Sequence, residues 1–260
     1  ALTGARGQEP AARPNLVVIM ADDMGYSDIG CFGGEISTPH LDQLAENGVR
    51  LTQFYNTGRC CPTRASLLTG RYAHQAGVGW MTNEGRNRGQ DFGYPGYTGE
   101  LNRSSVTFAE VLAGAGYRTL MTGKWHVGSF AGMWPMDRGF ERYYGLVRGG
   151  SNHFKPLPDK LLMEGRRPVA PGENFYTSDS FTDAAISYVR EARERSDDPF
   201  ALYLAFTAPH WPMHAPPEDI ERYRGRYDTG WERMRAGRFE RMQELGILHP
   251  DSQLSPLDVK

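Results

Sequence analysis

The chain has 260 residues, with 29 Lys plus Arg against 31 Asp plus Glu, and this balance excludes a nucleic-acid binder that works through a broadly basic surface. A hydrophobic share of 39% with 12% aromatic residues is too high for a disordered chain and supports a core of one large or two small domains. No apolar run approaches the ~18–20 residues that a membrane-crossing helix requires. Residues 1–14 read as a polar, Pro-containing extension. It opens Ala1-Leu2-Thr3-Gly4 without an initiator Met, the mark of signal-peptide removal or of trimming, and a periplasmic or secreted location is expected. Three cysteines (Cys31, Cys60, Cys61) make a poor disulfide framework, because the count is odd and vicinal cysteines pair only with strain.

Leu16 to Met20 is a continuous apolar run, the pattern of a strand buried on both faces, and it leads straight into Asp22 and Asp23. Thr38-Pro39 opens a helix with Leu41, Leu44 and Ala45 as its inner face and Gly48 at its end. Pro62 suits the first turn of a second helix that Gly70 closes. Ser105 or Thr107 starts a third, and Gly114 and Gly116 break it before a strand from Tyr117 to Thr122. The Gly- and Pro-rich stretch 128–172 reads as a long loop region lining the site. Phe181 to Arg195 has helical periodicity, with Ala185, Ile186, Tyr188, Val189 and Ala192 on one side. Phe200 to Phe206 is a buried strand that discharges into Ala208-Pro209-His210. Helices alternating with apolar strands predict an α/β fold around a mostly parallel sheet.

In an open α/β sheet, ligands bind beyond the carboxyl ends of the strands. Three predicted strands end in chemistry: Asp22/Asp23, Lys124/His126 and His210. Each alone has a bland reading, as a turn, a surface lysine or a packed loop histidine; three together are harder to dismiss. Asp22 and Asp23 offer hard oxygen ligands, which favour Ca²⁺ or Mg²⁺ over Zn²⁺. Two carboxylates cannot satisfy Ca²⁺, which takes ~6–8 oxygens, so further ligands must come from elsewhere. Cys60 sits just ahead of the second helix's N-terminus, where free N–H groups favour an anion, and Arg64 adds a fixed positive fork. A thiol protease with a histidine base would use Cys60 but leaves Asp22 and Asp23 without a role.

At these residues the chain resembles the sulfatases, formylglycine-dependent enzymes of the alkaline-phosphatase-like superfamily. The match is Cys60-x-Pro62-x-Arg64 followed by Leu68-Thr69-Gly70, together with Asp22-Asp23, Gly123-Lys124-Trp125-His126 and Ala208-Pro209-His210. A lone Cys-x-Pro-x-Arg is weak, but four motifs in order are specific, and their wording is nearest to bacterial arylsulfatase-like enzymes. The resemblance implies an alkaline-phosphatase-like sheet and hydrolysis of sulfate esters. It implies that a formylglycine-generating enzyme oxidises Cys60 to an aldehyde whose hydrate has two hydroxyls. One attacks sulfur to give a sulfate ester and release the alcohol; the other collapses to the aldehyde and expels sulfate. By the same resemblance, Asp22, Asp23 and the modified Cys60 bind Ca²⁺ (or Mg²⁺), Arg64 and His126 anchor the formylglycine, and Lys124 and His210 hold the sulfate or assist the leaving oxygen. The implied substrate is a sulfated small molecule or glycan. Cys31, Cys61, His40, His74 and His249 are left as structural, and His153 and His214 as loop residues that could line a pocket.

Sulfatases of this kind run well beyond 260 residues, and their later Asp-Asn pair and second Lys have no counterpart here. The chain therefore reads as the N-terminal portion of a catalytic domain, lacking its C-terminal remainder and subdomain. Residues 1–260 alone are expected to be nearly inactive, since losing even one preorganised group costs about 3–4 kcal/mol. They are also expected to expose apolar surface. The alternatives are a phosphonate or phosphate ester hydrolase of the same superfamily, and a non-catalytic binding fragment.

Overall fold

The computed structural model describes residues 13–82 and 92–257; most of the expected N-terminal extension lies outside them. Its elements in chain order are β1 (Leu16–Asp22), α1 (Pro39–Glu46), α2 (Cys60–Thr69), α3 (Phe108–Gly114), β2 (Arg118–Gly123), β3 (Arg142–Leu146), β4 (Leu162–Glu164), β5 (Arg167–Pro168), α4 (Thr177–Arg195), β6 (Phe200–Pro209), α5 (Pro217–Arg222) and α6 (Trp231–Glu244). The chain divides into two compact units, the first made of residues 1–22 and 57–212, the second of residues 23–56 and 213–260. No helix among the described residues is long and apolar enough to cross a membrane.

The first unit is an α/β layer structure whose sheet runs in the order β1-β6-β2-β3-β4-β5. Strands β1, β6, β2 and β3 are parallel, and β4 and β5 add an antiparallel end. The mostly parallel sheet expected from the sequence is therefore present, extended by a hairpin. Strand β6 shows why the middle is stable. Its side chains alternate by the period of 2, so Leu202 and Leu204 join Phe181, Ala185 and Tyr188 of α4 on one face. Tyr203 and Ala205 join Ala65 and Leu68 of α2 and Ala109 of α3 on the other. Phe181 is fully buried in the first layer, so Phe181→Ala should destabilise by about 3–5 kcal/mol. Helix α3 begins with a reciprocal cap: Glu110 N donates to Thr107 Oγ1 at 3.1 Å, and Thr107 N donates to Glu110 Oε2 at 2.7 Å.

Four readings of the sequence need correction. Strand β1 is not buried on both faces. Among the described residues it lies at the sheet edge and pairs only with β6, and Val17 and Ile19 are each 52% exposed. An apolar run reports a strand but not whether neighbours flank it on both sides. Helix α1 has no buried residue, because nothing among the described residues covers Leu41 and Leu44. On α4, Ile186 is exposed for the same reason. Finally, 128–172 is not simply loop, since it holds β3, β4 and β5. Arg142-Tyr143-Tyr144-Gly145-Leu146 is short and aromatic, and the surrounding glycines hide its strand preference.

The second unit contains α1, α5 and α6. Arg238 of α6 anchors it, donating to Glu35 at 2.6 Å and to Asp28 at 2.7 Å.

Candidate active site

Parallel pairing puts the carboxyl ends of β1, β6 and β2 on one edge of the sheet. Met20 of β1 and Gly123 of β2 are both in register with Ala205 of β6. Gly123 allows the close approach: its φ is 100°, and a Cβ there would sit 1.9 Å from the Ala205 carbonyl oxygen. Past this level, β1 delivers Asp22, β2 delivers Lys124 and His126, and β6 delivers His210.

Asp22 is buried and meets two cations. Lys124 Nζ donates to its Oδ2 at 2.6 Å, and Arg64 Nη2 lies 3.2 Å from its Oδ1. Burial pushes the Asp22 carboxyl up, but Lys124 and then Arg64 outweigh it and hold the group below its ordinary value. Arg64 lies one turn after Cys60 on α2, so both project from the same face of the helix. Its Nη1 also donates to the Lys124 carbonyl at 2.7 Å, which fixes the guanidinium in a fully buried position. The triad holds two positive charges against one negative charge.

Cys60 is the first residue of α2 and is half-buried. Burial raises its thiol pKa, but hydrogen bonds from His126 and His210, with the charge of Lys124, pull it down to about 5. His126 reaches Cys60 from a backbone of φ 59°, a left-handed conformation that costs about 1–3 kcal/mol for a residue with a side chain. Its N–H is anchored on the Val147 carbonyl at 3.0 Å. His210 Nδ1 lies 2.6 Å from the Trp211 carbonyl, an acceptor, so Nδ1 carries hydrogen and Nε2 is left for Cys60. The bond to Cys60 raises the His210 pKa, against burial and Lys124.

The structure thus brings together Asp22, Cys60, Arg64, Lys124, His126 and His210. Asp23 and His214 belong to the second unit. His153 does not line an open pocket: it is 1% exposed, behind His210. Gly150, absent from the sequence reading, matters because a Cβ there would lie 2.6 Å from His210 Cε1; it was hidden in a Gly-rich stretch. Among the residues read as structural, Cys61 packs on Met81 and Thr82, and His74 bonds the Tyr97 hydroxyl at 3.1 Å.

A profile of the sulfatase family matches residues 14–255. The chain belongs to the sulfatase family. It is 39% identical to the arylsulfatase of Klebsiella aerogenes over 99% of this chain and 56% of that protein. Among solved structures it resembles Ps i-CgsB in complex with k-i-k-neocarrahexaose, with TM-score 0.72 and 28% identity over 90% of this chain and 53% of that one. It also resembles a structure in complex with its substrate D-glucosamine-2-N,6-O-disulfate, with TM-score 0.62 and 28% identity over 81% of this chain and 37% of that one. The chain spans about half the length of the curated relatives it matches, 48% and 56% of the first two.

Sulfatases generally use formylglycine and a divalent cation. The surroundings of Cys60 suit an anionic oxygen as well as they suit a thiolate. For the cation, the residues present are not sufficient. Both Asp22 oxygens are engaged by Lys124 and Arg64, and no group of three or more His, Cys, Asp or Glu among the described residues could hold a metal. This agrees with the count from the sequence, in which two carboxylates fall short of ~6–8 oxygens.

Proposed function

We propose that the protein hydrolyses sulfate monoesters, with position 60 as nucleophile after a maturation enzyme converts Cys60 to formylglycine. One observation carries this reading: position 60 is built to hold negative charge. His126, His210 and Lys124 converge there strongly enough to bring a thiol to about 5 despite burial. Donors that stabilise an anion at this point also stabilise the charge that develops on oxygen as a sulfuryl group transfers.

A hydrated formylglycine at position 60 would supply one hydroxyl as the oxygen nucleophile and a second whose collapse to the aldehyde breaks the bond from carbon to the sulfated oxygen and releases sulfate. Arg64, held by Asp22 and the Lys124 carbonyl, keeps a fixed positive charge one turn below. His126, hydrogen-bonded to position 60, anchors the formylglycine with Arg64, and Lys124 with His210 holds the sulfate. His210, with Nδ1–H on the Trp211 carbonyl, carries the proton at Nε2 that the leaving alcohol takes. Asp22, with both oxygens engaged by Lys124 and Arg64, does not by itself hold a Ca²⁺ or Mg²⁺ ion, and no step is assigned to one. The substrate class is a sulfated glycan or small sulfate ester, by analogy with the sugar disulfate bound by one structural relative.

The test is turnover of an aryl sulfate against an aryl phosphate and an aryl phosphonate by the full-length protein, with mass spectrometry of the Cys60 peptide. Aldehyde in place of the thiol and a preference for sulfate are expected. Preference for the phosphonate would move the protein to the other branch of its superfamily. Binding without turnover, with Cys60 unmodified, would make it a binding protein.

A further inference from the structure

The chemistry above uses His210 but leaves unused a second buried histidine directly behind it. His153 is 1% exposed, and its Nε2 lies 3.1 Å from the main-chain carbonyl of His210. A carbonyl only accepts, so Nε2 carries the hydrogen. On the other side of the ring, Nδ1 lies 3.3 Å from Thr177 Oγ1. Thr177 is the first residue of α4, and its own hydroxyl accepts from Thr207 Oγ1 of β6 at 3.0 Å. In a neutral ring with its hydrogen on Nε2, Nδ1 is the acceptor, so the Thr177 hydroxyl takes its hydrogen to Nδ1 while accepting from Thr207. The relay is complete only one way round: Thr207 to Thr177, Thr177 to His153 Nδ1, and His153 Nε2–H to the His210 carbonyl. Thr177 and Thr207 are buried too, and Thr177 N donates to the His153 carbonyl at 2.9 Å, so neither end of the relay can drift.

We propose that His153 is a positioning residue for His210. This rests on the reading of position 60 as the nucleophile and deepens it. The carbonyl that His153 grips belongs to the peptide joining His210 to Trp211, and the next carbonyl along, that of Trp211, sets the His210 ring through Nδ1. Turning this peptide would move the Trp211 carbonyl and with it the direction of Nε2. Gly150 closes the remaining side, since any Cβ there would press into the His210 ring. His153 therefore sets the aim of the proton donor without touching substrate.

Three measurements on the full-length protein test this. His153→Ala should lower kcat on an aryl sulfate about 10–100-fold with little change in KM, the cost of a misaimed donor. His153→Gln, which restores an N–H near the Nε2 position, should recover most of that loss. Equal losses in both variants, or none in either, overturn the proposal. The third measurement is long-range ¹H–¹⁵N spectra of the imidazoles, which need neither turnover nor modification. His153 should show hydrogen on Nε2 and His210 on Nδ1. The His210 pattern should survive in His153→Gln and degrade in His153→Ala. Hydrogen on His153 Nδ1 alone in the wild type would refute the relay even if both variants fail to fold. If the wild-type protein turns over no sulfate ester but the spectra match, the functional reading fails while the positional one stands.

Discussion

Each unit contains an arginine gripped by carboxylate, and the two clusters behave as opposites. In the first, Arg64 and Lys124 flank Asp22 with side chains 0–4% exposed. In the second, Arg238 holds Glu35 and Asp28 with side chains 10–33% exposed. The first carries an excess positive charge out of reach of water and directs it at Cys60. The second, in which Arg241 also lies 3.7 Å from Glu35, balances two positive charges against two negative where solvent and salt screen them. The free cysteines follow the same division: Cys60 is pulled down to about 5, whereas burial and the neighbouring Asp42 push Cys31 up. Ion pairs of similar geometry thus differ in consequence according to burial: one tunes a reactive centre, the other ties segments of chain together.

The largest break in this comparison should come from Asp22. Asp22→Ala strands two buried cations and should cost about 3–5 kcal/mol in denaturant unfolding. The pH dependence has a definite sign. Because Lys124 and Arg64 hold the folded carboxyl below its ordinary 3.8, its contribution is complete above that value and lost as pH falls through the lower folded one. The gap between wild type and Asp22→Asn should therefore narrow in strong acid. A gap independent of pH would show that Asp22 acts by packing alone.

Next in size is the contrast between thiols in unmodified chain. Near pH 6, Cys60 is mostly thiolate, whereas burial and Asp42 push the Cys31 thiol the other way, so the reactive form is concentrated at Cys60. Low-pKa thiolates are weaker nucleophiles, with a Brønsted slope of about 0.4–0.5, so Cys60 should be alkylated faster than Cys31 but by less than its advantage in thiolate. His210→Ala should reduce the advantage, since one of its two hydrogen-bonding imidazoles is gone. Equal labelling of Cys60 and Cys31 in the wild type would mean the positive cluster does not reach position 60.

Much of the first unit was legible because its signals are local. Apolar runs marked β1, β2 and β6, and the rule that ligands gather beyond parallel strand ends placed Asp22, Lys124, His126 and His210 on one edge. What stayed hidden depends on partners distant in sequence. That β1 is an edge strand follows from the pairing order, which no five-residue run records. His153 looked like a loop residue because its partners, Thr177 and His210, lie 24 and 57 positions away. Gly150 is indistinguishable from its neighbours until the His210 ring is seen against it. The second unit was least legible, since its joining charges come from segments more than 200 residues apart.

That unit supplies the smallest predicted effect and the sharpest control. Arg238→Ala removes bidentate contact with Glu35 and the pair with Asp28, yet all three side chains keep access to water. A loss of about 1 kcal/mol is expected, the upper range for exposed pairs, and it should shrink as salt approaches 1 M, where the screening length falls to about 3 Å. The Asp22 cluster should resist the same salt, because buried charges are screened far less. Denaturation of Arg238→Ala and Asp22→Asn at low and high ionic strength compares the two directly. If both losses shrink by the same fraction, burial is not what separates the clusters, and the depressed Cys60 thiol needs a source other than the desolvated charges around it.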